Sequence, residues 1–229
     1  MSKTLQVPAL IEQSALILIA AGSSPAEAHT VASNLVMANL SGHDSHGVGM
    51  LPRYVDAVLE GGLTPNASVK TNLDIGTMLS LDGQRGYGQV VGEQAMQLGM
   101  ARAKQHGSCI MMLGNAHHLG RIGHFAEMAV AQGLVSLHFV NVLSRPVVAP
   151  WGGGDAALVP TPAALGCRSK DKILLFSTLQ RAASPKARCV WPTTRAFKSS
   201  PAHSSTNMAA PLPSPAWWWC HKAMVCLAR

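Results

Sequence analysis

Apolar positions recur with a helical period near the start of the chain and fall into short strand-like runs further on. Over residues 7–21, Leu10, Ile11, Ala15, Leu16 and Ile19 share one side, which predicts an amphipathic helix. Ser24-Pro25-Ala26-Glu27 is a strong helix start. Ser24 can cap, Pro25 suits the first helical position and Glu27 can bond back to the cap. That helix is expected to run to Leu40 and stop at Ser41-Gly42. A polar stretch, His43-Asp44-Ser45-His46-Gly47, follows, then a third helix over 51–59 closed by Gly61-Gly62.

Residues 68–72 and 77–81 read as strands, with a turn at Asp82-Gly83. A helix is predicted over 89–106, ended by Gly107. A buried strand over 108–113, a loop holding His117 and His118, a helix over 121–132 and a second buried strand over 134–142 complete the alternation. A loop over 146–154 follows. The order predicts an all-helical start followed by an α/β layer.

Composition changes this picture at one point. The net charge is +7 over 229 residues, but residues 1–156 carry 8 Lys+Arg against 10 Asp+Glu. Residues 157–229 carry 10 Lys+Arg against 1 Asp+Glu. Four of five cysteines (Cys167, Cys189, Cys220, Cys226) lie in that tail, as do four of five tryptophans, but only one glycine, Gly166. Two kinds of sequence meet near position 156. No apolar run has the ~20 residues of a membrane helix, and the N-terminus shows no export signal, which reads as a cytoplasmic chain without membrane partners.

Histidines are the candidate chemistry. His46, beside Asp44 and Ser45 between two helices, can move a proton near neutral pH with its neighbour orienting the ring. The plainer alternative is a helix cap formed by Asp44 or Ser45 with His46 exposed. His117 and His118 follow a strand and precede a helix, a frequent place for ligand contacts; an ordinary polar loop is the alternative. Gly86-Tyr87-Gly88 can approach a phosphate or simply make a tight turn. No G-x-G-x-x-G follows a strand, so a Rossmann fingerprint is absent. No carboxylate or cysteine cluster with metal spacing stands near these histidines, so no metal is expected.

Four stretches, SGHDSHGVGMLPRYVDAVLEGGLTPNA, LDGQRGYGQVVGEQAM, GNAHHLGRIGHFAEMAVAQG and VVAPWGGGDA, occur in this order within the first 156 residues. Together they resemble the malate/L-lactate dehydrogenase family, which includes ureidoglycolate dehydrogenases and cyclic-imine carboxylate reductases. The resemblance implies a helical N-terminal substrate and dimer region over 1–66, then a non-Rossmann nicotinamide-binding α/β domain that starts at 67–156 and is left incomplete. It implies a homodimer that uses NAD or NADP to move a hydride to or from a small 2-hydroxy, 2-oxo or imino acid. By resemblance His46 donates or accepts the proton with Ser45 in its relay. Arg53 and His118 bind substrate, and His118, Leu119, Gly120, Arg121 and Ile122 line the cofactor cleft. Met50 stands where many relatives carry arginine.

After its WGG loop the family continues with T-N-P, D-F-A-T-S and N-K-G segments, none of which is written here. Residues 155–162 can be encoded GAT GCC GCA CTG GTA CCA ACC CCC. One restored C gives GAT GCC CGC ACT GGT ACC AAC CCC, which reads DARTGTNP. In the same shifted frame residues 176–185 permit LDFATSRVA, residues 184–198 permit AQGKVRVAHNKGVQ and residues 198–213 permit VVPGTLIDQHGRPTT. The expectation is a frame shift near Ala156, an out-of-frame tail without native fold over 157–229, exposed strand edges and an inactive product. The rival expectations are an intact enzyme whose tail replaces the missing half and a basic nucleic-acid-binding module acting through the tail, although no nucleic-acid partner is expected.

Overall fold

The computed structural model describes residues 5–143, 162–169, 172–178 and 219–228. The loop expected over 146–154 lies outside them. Three helices come first: α1 (Val7–Ala20), α2 (Pro25–Leu40) and α3 (Leu51–Leu59). Ser24 caps α2 by accepting from the Glu27 backbone N–H at 3.3 Å. Glu27 does not close the box. Both of its carboxylate oxygens instead accept from the Asn66 N–H at 2.9 Å, and Asn66 Oδ1 takes the Ser24 N–H. The helices share a core of Leu18, Val31, Leu35, Tyr54, Ala57 and Tyr87.

The rest is one mixed sheet with helices on one face. Its elements are β1 (Lys70–Ile75), β2 (Met78–Asp82), α4 (Gly88–His106), β3 (Ser108–Ala116), α5 (Gly123–Ala131) and β4 (Val135–Leu143). Three further strands, β5 (Ala163–Ser169), β6 (Lys172–Thr178) and β7 (Trp219–Ala228), come from the tail. The order is β1-β2-β3-β7-β4-β5-β6. β2 and β3 are parallel, and β7 pairs antiparallel with both β3 and β4. The tail that the sequence reading set outside the fold therefore supplies three strands here, and β3 and β4 have no open edge. The physical reason is period-two alternation. Ala164 and Gly166 of β5, and Val225 and Leu227 of β7, face inward.

A second core fills the space between the sheet and α4–α5, with Leu81, Val91, Met96, Met111, Phe125 and Leu227 among its members. The opposite face leaves Ile110, Met112, Leu137 and Phe139 substantially exposed. No helix among the described residues is long and apolar enough to cross a membrane.

Backbone strain gathers where β2 and β3 end. Gln84, Arg85 and Asn115 have φ of 49°, 61° and 51°, a conformation that costs a side-chain-bearing residue energy. The strained turns are tied together, with Arg85 N–H donating to Asn115 O at 2.7 Å and Asn115 Nδ2 to Asp82 Oδ1 at 2.9 Å. They lead the chain from β2 into α4 and set the loop leaving β3 against the first turn of that helix, with His117 N–H donating to Gly86 O at 3.0 Å. A Cβ on Gly88 would lie 2.3 Å from His118 O and 2.6 Å from His117 O. Gly86-Tyr87-Gly88 is thus the seat on which the histidine loop rests.

Candidate active site

The loop between α2 and α3 is built around Asn39. Its Nδ2 donates to Asp44 Oδ1 at 2.6 Å, and its Oδ1 accepts from Val48 N–H at 2.9 Å. Gly47 must lack a side chain, because a Cβ there would come within 2.1 Å of Asn39 Oδ1. The clamp presents Asp44–His46 as a single 3-10 turn with no side-chain cap. Asp44 is spent on Asn39, so the capping alternative for this triplet is not what the structure uses. Ser45 Oγ and His46 Nδ1 are hydrogen-bonded at 2.8 Å.

His46 meets His118 across the gap between the two layers. Their rings stack with centroids 5.2 Å apart and planes at 28°. Behind His118 stands Tyr54 of α3, its Oη 2.7 Å from His118 Nδ1. Gln89 Nε2, in the first turn of α4, donates to the same Oη at 2.7 Å. His117 lies edge-on to Tyr54 at 5.7 Å. The sequence reading singles out Ser45, His46 and His118 but not Asn39, Tyr54 and Gln89, which the structure links to them directly or through Asp44 and Tyr54. The available signal was a tyrosine on the buried side of a short helix, since a buried phenol usually finds a hydrogen-bond partner.

The electrostatics separate the two stacked histidines. Burial, helped by the charges of His46, His117 and Arg53, pushes His118 down to about 3. His46 is also lowered, by burial and then by His43. His118 is therefore neutral at physiological pH. His46 takes up a proton more readily, and a proton on either ring discourages one on the other.

The other candidates are placed as follows. Arg53 is exposed on α3, with its charge felt at His118. Met50 is buried in the helical core. Leu119 is buried in the sheet–helix core and Ile122 packs against it. Arg121 forms a bidentate pair with Glu127 at 2.8 and 2.6 Å. Gly120 has φ +72° and faces two amide side chains; a Cβ there would lie 3.0 Å from Asn34 Oδ1 and 3.1 Å from Gln89 Nε2. Among the described residues no three His, Cys, Asp or Glu side chains gather as a metal site.

The chain as a whole is similar to known proteins. The malate/L-lactate dehydrogenase family model matches residues 5–177, about twenty residues beyond the compositional break. Hydroxycarboxylate dehydrogenase B of Escherichia coli (strain K12) is 44% identical over 172 residues, 74% of this chain and 48% of that protein. L-lactate dehydrogenase of Cupriavidus necator is 46% identical over 147 residues, 63% of this chain and 42% of that one. The malate dehydrogenase structure from Pyrococcus horikoshii superposes with a TM-score of 0.71 at 36% identity, covering 76% of this chain and 50% of that one. The chain spans about half the length of the relatives it matches. On the family match and the shared α/β fold, the chain belongs to the malate/L-lactate dehydrogenase family.

Proposed function

We propose that the paired layers carry the proton-transfer and substrate half of an NAD(P)-dependent 2-hydroxy acid oxidoreductase, and that the out-of-frame tail leaves this chain with little turnover. The observation that carries the chemistry is the Ser45–His46 pair stacked on a neutral His118. His46 takes the hydroxyl proton of a 2-hydroxy acid during oxidation and returns it during reduction. Ser45 fixes its ring. His118, kept neutral by burial, offers an N–H to a substrate oxygen without adding a charge. Arg53 is the cation for the substrate carboxylate. L-Lactate and L-malate are the first substrates to try, given the relatives' names.

The residues present fit the nicotinamide end of the cofactor. Asn34 Oδ1 and Gln89 Oε1 are buried acceptors without a hydrogen-bond donor among the described residues, and their side chains flank Gly120. Such oxygens suit the N–H groups of a carboxamide. Asn34, Gln89 and the backbone around Gly120 would hold that end. The bound cofactor supplies or takes up the hydride.

The test compares this chain with one in which a single C is restored after the Ala156 codon. NAD(P)-linked oxidation of L-lactate and L-malate is expected only from the restored chain. There, His46→Gln should lower kcat by roughly 10²–10⁴-fold. The rate should hold steady above the ordinary histidine range and decline below it as His46 is protonated. Equal turnover by the two chains would refute the frame reading, and a fully active His46→Gln would refute the proton-transfer role.

A further inference from the structure

Gln89 spans two elements. It is fully buried at 0% exposure in the first turn of α4, one residue after the glycine seat under His118, yet it reaches Tyr54 on α3. Its Nε2 can only donate. The acceptor capacity of Tyr54 Oη on that side is therefore used. The phenol is fully buried and holds its proton throughout the ordinary pH range, since burial drives its pKa well up. Its one hydrogen then has a partner in His118 Nδ1, 2.7 Å away. A ring that accepts at Nδ1 carries its own hydrogen at Nε2.

We infer that Gln89 is a positioning residue that fixes the orientation and tautomer of His118, acting through the Tyr54 hydroxyl. The direction of the chain follows from the atom at its end. An amide nitrogen at Gln89 sends the tyrosine hydrogen toward His118. An apolar side chain leaves the hydroxyl free to rotate, and a carboxylate draws the hydrogen back, so that His118 must donate from Nδ1 instead. The inference rests on the proposed role of His118 for its importance in catalysis, but the tautomer itself is a property of the protein without ligand.

The experiment is ¹⁵N NMR of the histidine side chains in the full 229-residue chain. It is run on the protein as it stands and on Gln89→Leu, Gln89→Glu and Tyr54→Phe. In the parent, His118 is expected as a single neutral tautomer with hydrogen on Nε2, and the Tyr54 hydroxyl proton is expected as a slowly exchanging signal close to the His118 ring. Gln89→Leu and Tyr54→Phe should both turn the single tautomer into a mixture. Gln89→Glu, studied above the titration of the new carboxyl, should move the hydrogen to Nδ1. A parent with hydrogen on Nδ1 overturns the inference, as does a Gln89→Leu spectrum identical to the parent's. If Gln89→Leu fails to fold, the parent's tautomer and hydroxyl signal still decide. Absence of NADH binding to the same samples bears on the dehydrogenase reading alone.

Discussion

Histidine burial sets how this chain responds to acid. His117 and His138 are each less than 5% exposed, and burial lowers both to about 4; His118 is at about 3. Each folded-state value lies below the ordinary 6.5, so the unfolded chain binds more protons between the two. Stability is then fully present above about pH 6.5 and drains away as pH falls toward 4 and then 3. At about pH 5 the loss is roughly 2 kcal/mol for each fully buried ring. Glu27 opposes the trend at the acid end, because burial holds its carboxyl above the usual range. Urea unfolding at pH 7 and pH 5 should show a lower midpoint at pH 5, and replacing His138 by Gln should shrink the difference. An unchanged midpoint would mean that these rings are hydrated in the folded state. At this scale the sequence showed which rings were candidates, since Ser45-His46 and His117-His118 stand in polar loops. It could not show which would stay neutral, because that depends on burial by segments distant in the chain and on the charges of His46 and Arg53 brought up to His118.

Among the elements, the helices and strands up to Leu143 lie close to where the hydrophobic pattern predicts them. The differences have local causes. The first strand was expected over 68–72 but runs Lys70–Ile75. The signal missed was Gly76, whose φ of +52° turns the chain into β2. β3, expected over 108–113, extends past Leu113 to Ala116, because Gly114 and Ala116 still pair with β7. How tightly α4 meets its neighbours was not legible, since a glycine looks the same at a close contact and at a loose one. Gly88 and Gly99 should separate the two cases. A Cβ at Gly88 meets backbone carbonyls at 2.3 and 2.6 Å, which cannot yield. At Gly99 it meets the side-chain ends of Leu227 and Met111 at 3.0 and 3.1 Å. Gly88→Ala should cost about 2 kcal/mol or more and disturb His118. Gly99→Ala gains up to about 1 kcal/mol of helix propensity against a small repacking cost. Thermal melts of the two variants, read side by side, should differ by several degrees, with Gly88→Ala lower.

For the whole molecule, completing a sheet and completing a site make different demands on sequence. Backbone hydrogen bonds do not depend on side-chain identity, so a stretch with the right alternation can occupy a strand position. β7 does so between β3 and β4, with Val225 at 6% and Leu227 at 2% exposure on the core side. Proton transfer needs particular residues, and the proposed frame shift would remove the D-F-A-T-S segment that the family carries after its WGG loop. On that proposal the chain would hold together as a fold while its site stayed half-built. This account depends on β7 belonging to the sheet, and that can be tested without any substrate. Val225→Asp would bury a carboxylate beside Met111 and opposite the neutral ring of His138 on β4, and should destabilise the chain by about 3 kcal/mol or more. Ala228→Asp, at the exposed end of the same strand, should change little. Urea midpoints of both variants decide the matter. A drop for Val225→Asp alone places the strand in the core, whereas two unchanged midpoints would mean that residues 219–228 stay outside it and that β3 and β4 expose their edges to solvent or to another chain.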